Sequence, residues 1–266
     1  MIDCKRYRLE HKRQQISVLY RKYRKVVPKP LREWLEAHIV YRVNTSSPLV
    51  YMSLGENCLP ATVLKQIQLR RFSGPFDWLL GKSFYTATEQ ILDDFKSSLL
   101  FDDLEFTGKR SQDPGKTVVI NRRLDITYLH DFKNQSREEY QAILSKYQRR
   151  QKRFFQLAKN SEIVFIYSSV NSGVDYSHIT EEMVIGYLDR LSQLQNKLSS
   201  KSITLLLAVR SDELPEDISF SQCYEKEMLK LIIQPVPNLY INDKFDPYLW
   251  QGDSIKKTLS LISNSK

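Results

Sequence analysis

"LVYMSLGENCLPATVLKQIQL", residues 49–69, is the stretch that decides how this chain folds. Leu49–Leu54 is a short apolar run without polar alternation, the mark of a strand buried on both faces. GENC reads as a turn, and Leu59–Leu69 predicts a helix with Pro60 in its first turn, where a missing N–H costs nothing. In an open parallel sheet, ligands bind beyond the carboxyl ends of the strands, so Cys58 falls where a reacting group belongs. A helix N-terminus there favours a thiolate, and its unpaired N–H groups, with those of Gly55 and Asn57, fit an oxyanion. A lone cysteine is also a common space-filler in cores, so its chemistry depends on what else the chain supplies.

Working outward, the chain downstream alternates strand and helix. GPFDW (74–78) reads as a loop before a helix at Phe84–Phe95, and the middle mixes the short strand-like pieces Lys116–Ile120 and Ile126–Leu129 with the polar turn TGKRSQDPGK. A long helix follows, capped by Ser136 with Glu139 three residues on. Then come strand Ile163–Tyr167, helix Thr180–Leu198, strand Ile203–Val209, helix Gln222–Ile232, strand Leu239–Ile241 and helix Asp253–Ile262. This pattern predicts an α/β fold, a Rossmann-like (SGNH-like) three-layer sandwich around a mostly parallel sheet.

Residues 1–44 hold 12 Lys and Arg against 4 Asp and Glu, within a net charge of +9, so the arm is basic and the body close to neutral. The reading is a basic helical arm, 1–44, on a single α/β domain, 45–266. Basic and apolar residues alternate along the arm at helical spacing, a pattern that suits either a solvated helix or peripheral contact with an anionic membrane. No stretch is apolar enough to span a bilayer, and the start lacks a secretory pattern, so the expected location is cytoplasmic or at the inner membrane face. No nucleic-acid-reading motif is present. Three scattered cysteines (Cys4, Cys58, Cys223) predict free thiols and no zinc set, and no cofactor is expected.

A nucleophilic thiol needs a base. Of four histidines, His11 and His38 lie in the arm and His178 precedes a helix. His130 ends a strand-like segment beside Asp131 and is the best placed. For a third member the sequence offers Asp77, Asp246 and Asp253, and spacing does not choose among them. Phe76, Trp78 and Trp250 offer rings for stacking on a ligand, or core packing. Arg149, Arg150, Lys152 and Arg153 on the long helix read as an anion clamp or as a solvated face.

Taken together, SLGENC, LRRFSGPFDWLL, HDF, YQRRQKRFFQL and IVFIYS resemble a bacterial family grouped as papain-like cysteine peptidases, over roughly Leu49–Asp253. The resemblance implies a Cys–His pair, carried onto Cys58 and His130, with Gly74–Trp78 as a second signature loop. Where an arginine often ends the strand after the basic helix in that family, this chain has Tyr167 and Ser168, which speaks against anion binding at that position. The strand–turn–nucleophile order also resembles SGNH-type hydrolases and cysteine-containing acyltransferase-like proteins of capsule biosynthesis. The tyrosine-rich arm resembles leader segments on surface-polysaccharide enzymes.

Two functional classes follow. One is a thiol hydrolase or acyltransferase acting on a peptide, glycan or other small-molecule substrate. The other is a non-catalytic module binding a sugar or nucleotide in envelope assembly.

Overall fold

Leu49–Gly55 forms β1, buried from Val50 onward because helices pack on its faces and one parallel strand pairs along its edge. The structure is a computed structural model, which describes residues 49–66, 69–70, 72–81, 83–111, 113–134, 136–169, 176, 179–210 and 222–236, with single positions 28, 31 and 258. The chain divides into two compact units, Met1–Ser46 and Ser47–Lys266. The expected membrane-contacting arm except positions 28 and 31, the strand at 239–241 and all of the final helix except position 258 lie outside the described residues.

After β1 come α1 (Leu59–Gln66), β2 (Leu79–Leu80), α2 (Phe84–Leu92), β3 (Leu104–Arg110), β4 (Thr117–Asn121), β5 (Ile126–Tyr128) and α3 (Arg137–Ala158). Then follow β6 (Glu162–Ser168), α4 (Glu181–Leu198), β7 (Ser202–Arg210), β8 (Gln222–Lys226) and β9 (Leu229–Val236). The main sheet runs β1-β6-β7-β9-β8, with four parallel strands and an antiparallel edge. Tyr51, Val164, Ile166, Leu206, Ala208 and Ile232 meet Leu59, Val63 and Leu64 of α1 on one face. Strand alternation puts Phe165 and Tyr167 on the other face, under Phe154 of α3 (ring centroids 6.2 Å) and Phe84 of α2 (5.9 Å). Tyr187 of α4 closes on Phe84 at 4.9 Å, so helices cover both faces and the fold is α/β in layers.

Among the described strands the sheet order advances in one direction from β1 to β9, and the GENC turn sits at strand carboxyl ends. Two features depart from the sequence reading. Residues 222–232, read as a helix, form instead the β8–β9 hairpin. Helix formers in "EKEMLK" are overridden by pairing with β7, and a two-residue turn with Glu227 in the left-handed region (φ 53°) reverses the chain without any glycine signal. The middle segment builds a second, antiparallel sheet, β2-β5-β4-β3. Its two short strands were legible, whereas β3 and the two-residue β2 were not.

Local chemistry sets the long helix. Ser136 Oγ accepts the Glu139 N–H at 3.1 Å, as a capping residue should. The Glu139 carboxylate does not return to Ser136 but reaches back to the N–H groups of Lys133 (2.7 Å) and Asn134 (2.8 Å), fixing the chain's approach to α3.

Candidate active site

Gly55 (φ 82°) and Glu56 (φ 70°) both adopt left-handed backbone as β1 turns into α1. Glycine takes this conformation freely, whereas glutamate is strained by it, a cost that tends to collect at functional turns. The turn delivers Cys58, half-buried with a free thiol, to the N-cap of α1, where its carbonyl accepts the Thr62 N–H (3.0 Å) and hydroxyl (2.9 Å). Asn57 Oδ1 accepts the Leu59 N–H at 2.9 Å and Ser53 Oγ accepts the Gly55 N–H at 3.2 Å. Of the expected oxyanion donors, the Gly55 N–H is therefore committed. Among the described residues the N–H groups of Asn57 and Cys58 carry no partner.

The Gly81 N–H donates to Glu56 O at 3.0 Å and ties this turn to the end of β2 in the second sheet. At the other end of β2, register carries Leu79 opposite Tyr128, so Trp78 and His130 meet just beyond the pair, edge to face at 5.7 Å. One short strand thus spans from the cysteine turn to the histidine. Among the described residues no hydrogen bond joins the Cys58 thiol to His130.

His130 is oriented by a residue that the sequence reading missed. Its Nδ1 lies 2.6 Å from Asp113 Oδ2, in the turn between β3 and β4. The Thr117 N–H donates to Phe132 O (2.8 Å) and Ser111 N–H to Lys116 O (2.8 Å), which folds that turn against the His130 segment. Asp113-Pro114-Gly115 is a legible turn, but nothing in linear sequence links it to a histidine 17 positions on. Asp131, the neighbour expected to orient His130, is instead buried under α3, bound by Lys146 Nζ and by Tyr147 Oη at 2.7 Å. The two neighbours thus hold different elements, His130 the β3–β4 turn and Asp131 α3. Burial, together with the Asp131 charge, pushes the Tyr147 hydroxyl well above its ordinary range.

Asp77 is 3% exposed and anchors its own loop. It accepts Arg70 Nε at 3.0 Å, a second bond from Arg70 Nη2 and the Gly74 N–H at 2.8 Å. A Cβ on Gly74 would lie 3.1 Å from Asp77 Oδ1, so the glycine admits this close turn. Burial raises the Asp77 carboxyl above its ordinary value of 3.8, opposed by Arg70, the Gly74 bond and Arg150. Among the described residues no hydrogen bond joins Asp77 to His130. Arg70 in turn lies 5.3 Å over the Trp78 ring, so the pair braces the ring that packs on His130.

Phe76, expected on the ligand side, is fully buried and packs on Phe95 (5.4 Å) and Phe154 (6.3 Å), so it belongs to the core. Trp78 is half-buried and stays beside the site. Asp246, Asp253, Trp250, His11, His38, His178 and Cys4 lie outside the described residues. Among the described residues no group of three or more His, Cys, Asp or Glu could hold a metal, and no helix is long and apolar enough to cross a membrane.

No solved structure matches this chain. A relative from Acanthamoeba polyphaga mimivirus, "Uncharacterized protein R408", is 27% identical over 232 residues, covering 79% of this chain and 96% of its own length. Residues 49–210, from the start of β1 to the end of β7, match the family model described as "Putative papain-like cysteine peptidase (DUF1796)". The matched segment contains the cysteine turn, the GPFDW loop, the Asp113–His130 pair and α3, and the chain belongs to that family.

Proposed function

We propose that this protein is a thiol hydrolase in which Cys58 is the nucleophile, His130 the general base and Asp113 the group that orients it. The observation that carries the reading is the His130 Nδ1 to Asp113 contact of 2.6 Å, in a chain whose family is grouped with cysteine peptidases. A carboxylate on Nδ1 fixes the tautomer and leaves Nε2 to take a proton. Cys58 Sγ adds to an acyl carbon while its proton passes to His130 Nε2, through a water or on closure around substrate. The N–H groups of Asn57 and Cys58 receive the developing oxyanion. The proton then goes to the leaving nitrogen or oxygen, and water cleaves the thioester to release the acid and regenerate the thiol. Asp77, through Arg70 and Trp78, is a positioning residue. Passed to a hydroxyl acceptor, the same thioester would give acyl transfer to a glycan or its precursor. A peptide-bond substrate agrees better with the family description.

The test is alkylation of Cys58, with Cys223 in the same sample as comparator. Cys223 is exposed on β8, where burial and Glu225 push its thiol up. Across pH 5–9, Cys58 is expected to react faster than Cys223, and His130→Ala to abolish the advantage. Asp113→Asn should lose part of it, and loss of the general base should cost any turnover found about 10²–10⁴-fold. Equal reactivity of Cys58 in wild type and His130→Ala refutes the dyad.

A further inference from the structure

The helix α3 buries Tyr140, Ile143, Tyr147, Phe154 and Leu157, and the alternating 3-4 spacing of that stripe places Arg150 on it, between Tyr147 and Phe154. An arginine at a core-facing position of an otherwise apolar stripe needs a partner. The guanidinium lies 5.1 Å over the Tyr147 ring, and its Nη1 is buried with no hydrogen-bond partner among the described residues.

The carboxylates nearby are already engaged. Asp77 is taken by Arg70 and Gly74, and Asp131 by Lys146 and Tyr147. The charge of Arg150 reaches both Asp77 and Lys146, and Lys116 Nζ donates to Asp131 O at 2.8 Å. Four cations (Arg70, Lys116, Lys146, Arg150) therefore face two carboxylates, and the cluster is short of negative charge. It connects to the candidate active site through Arg70, which stacks on Trp78, and Trp78, which packs on His130. It reaches solvent at Lys146, whose side chain is 33% exposed.

We propose that Arg150, with Lys146 and Arg70 at its sides, forms an anion subsite that receives one carboxylate or phosphate group of the substrate beside His130. A guanidinium presents a planar fork matched to two oxygens of such a group, which a lysine in its place does not. As a substrate subsite it rests on the thiol-hydrolase reading; the binding of an anion there does not. Arg149, one position along, lies on the exposed side of the helix and serves as the control.

The experiment is thermal unfolding of the full chain in chloride, then with acetate or inorganic phosphate substituted at constant ionic strength. A bound anion raises Tm by mass action. The expected result is a rise with at least one of the two anions in wild type, Arg149→Gln and Cys58→Ala, and its loss in Arg150→Gln and Arg150→Lys, with affinity at least tenfold weaker. Acetate alone points to a carboxylate-bearing substrate, and a stronger phosphate response to a phosphorylated one. Should Arg150→Gln not fold, as judged by circular dichroism, Arg150→Lys decides. No rise over chloride in wild type, or a rise that survives in Arg150→Lys, overturns the proposal. Cys58 alkylation measured on the same samples separates the two readings: an intact anion response with a Cys58 indifferent to His130 sinks the hydrolase and leaves the anion site standing.

Discussion

Replacing Arg70 by leucine should both destabilise the protein and make its stability more sensitive to pH. Asp77 is buried, and Arg70 supplies two of its three hydrogen bonds, one at 3.0 Å. Two unit charges 3 Å apart attract by about 5.5 kcal/mol at an effective dielectric of about 20, and removing one member of a buried pair costs about 3–5 kcal/mol. Arg150 remains within electrostatic reach of Asp77, which places the expected loss near the lower bound, about 3 kcal/mol. For a chain of this size that is a fall in Tm of about 6–12 °C.

The pH dependence has a definite sign. Burial already holds the folded-state Asp77 carboxyl above 3.8, and without Arg70 it rises further. A group whose folded value lies above its unfolded value favours the folded state most below the unfolded value, and that contribution is lost as pH rises through the folded one. The deficit of Arg70→Leu should therefore be smallest near pH 4 and grow toward pH 8. Urea unfolding at pH 4.5, 6 and 8 measures it. A deficit under about 1 kcal/mol at pH 8, or one that is the same at all three pH values, would refute the account of Asp77 as a buried, Arg70-compensated charge.

Three further substitutions probe the supports of the site. Gly81 has φ +88°, and a Cβ there would lie 2.9 Å from Asp125 O, whereas Gly115 (φ +71°) faces open space. Gly115→Ala should cost only the left-handed penalty of about 1–2 kcal/mol, and Gly81→Ala clearly more. Equal losses by thermal unfolding would show that the clash is absent. Tyr147→Phe removes the 2.7 Å bond to Asp131 and leaves Lys146 in place, so about 1.5–3 kcal/mol should go, read as a lower urea midpoint; a shift under about 0.5 kcal/mol would mean that the hydroxyl is dispensable.

The amino-acid sequence by itself determined the local elements around the site. An unbroken apolar run gave β1, Pro60 in a first turn gave the start of α1, and Ser136 gave the cap of α3, because each depends on neighbours within a few residues. The position of Cys58 at a strand-to-helix turn was legible for the same reason. The β8–β9 hairpin was not, since pairing with β7 outweighs the helix propensity of its residues. Nor was the division of labour among the carboxylates. Asp131 beside His130 in sequence turns away to Lys146, Asp77 is consumed by Arg70, and the orienting acid is Asp113, brought in by the antiparallel pairing of β3 with β4. Which charges meet is settled by register and by which side of a strand each residue faces, and neither is fixed until the sheets pair.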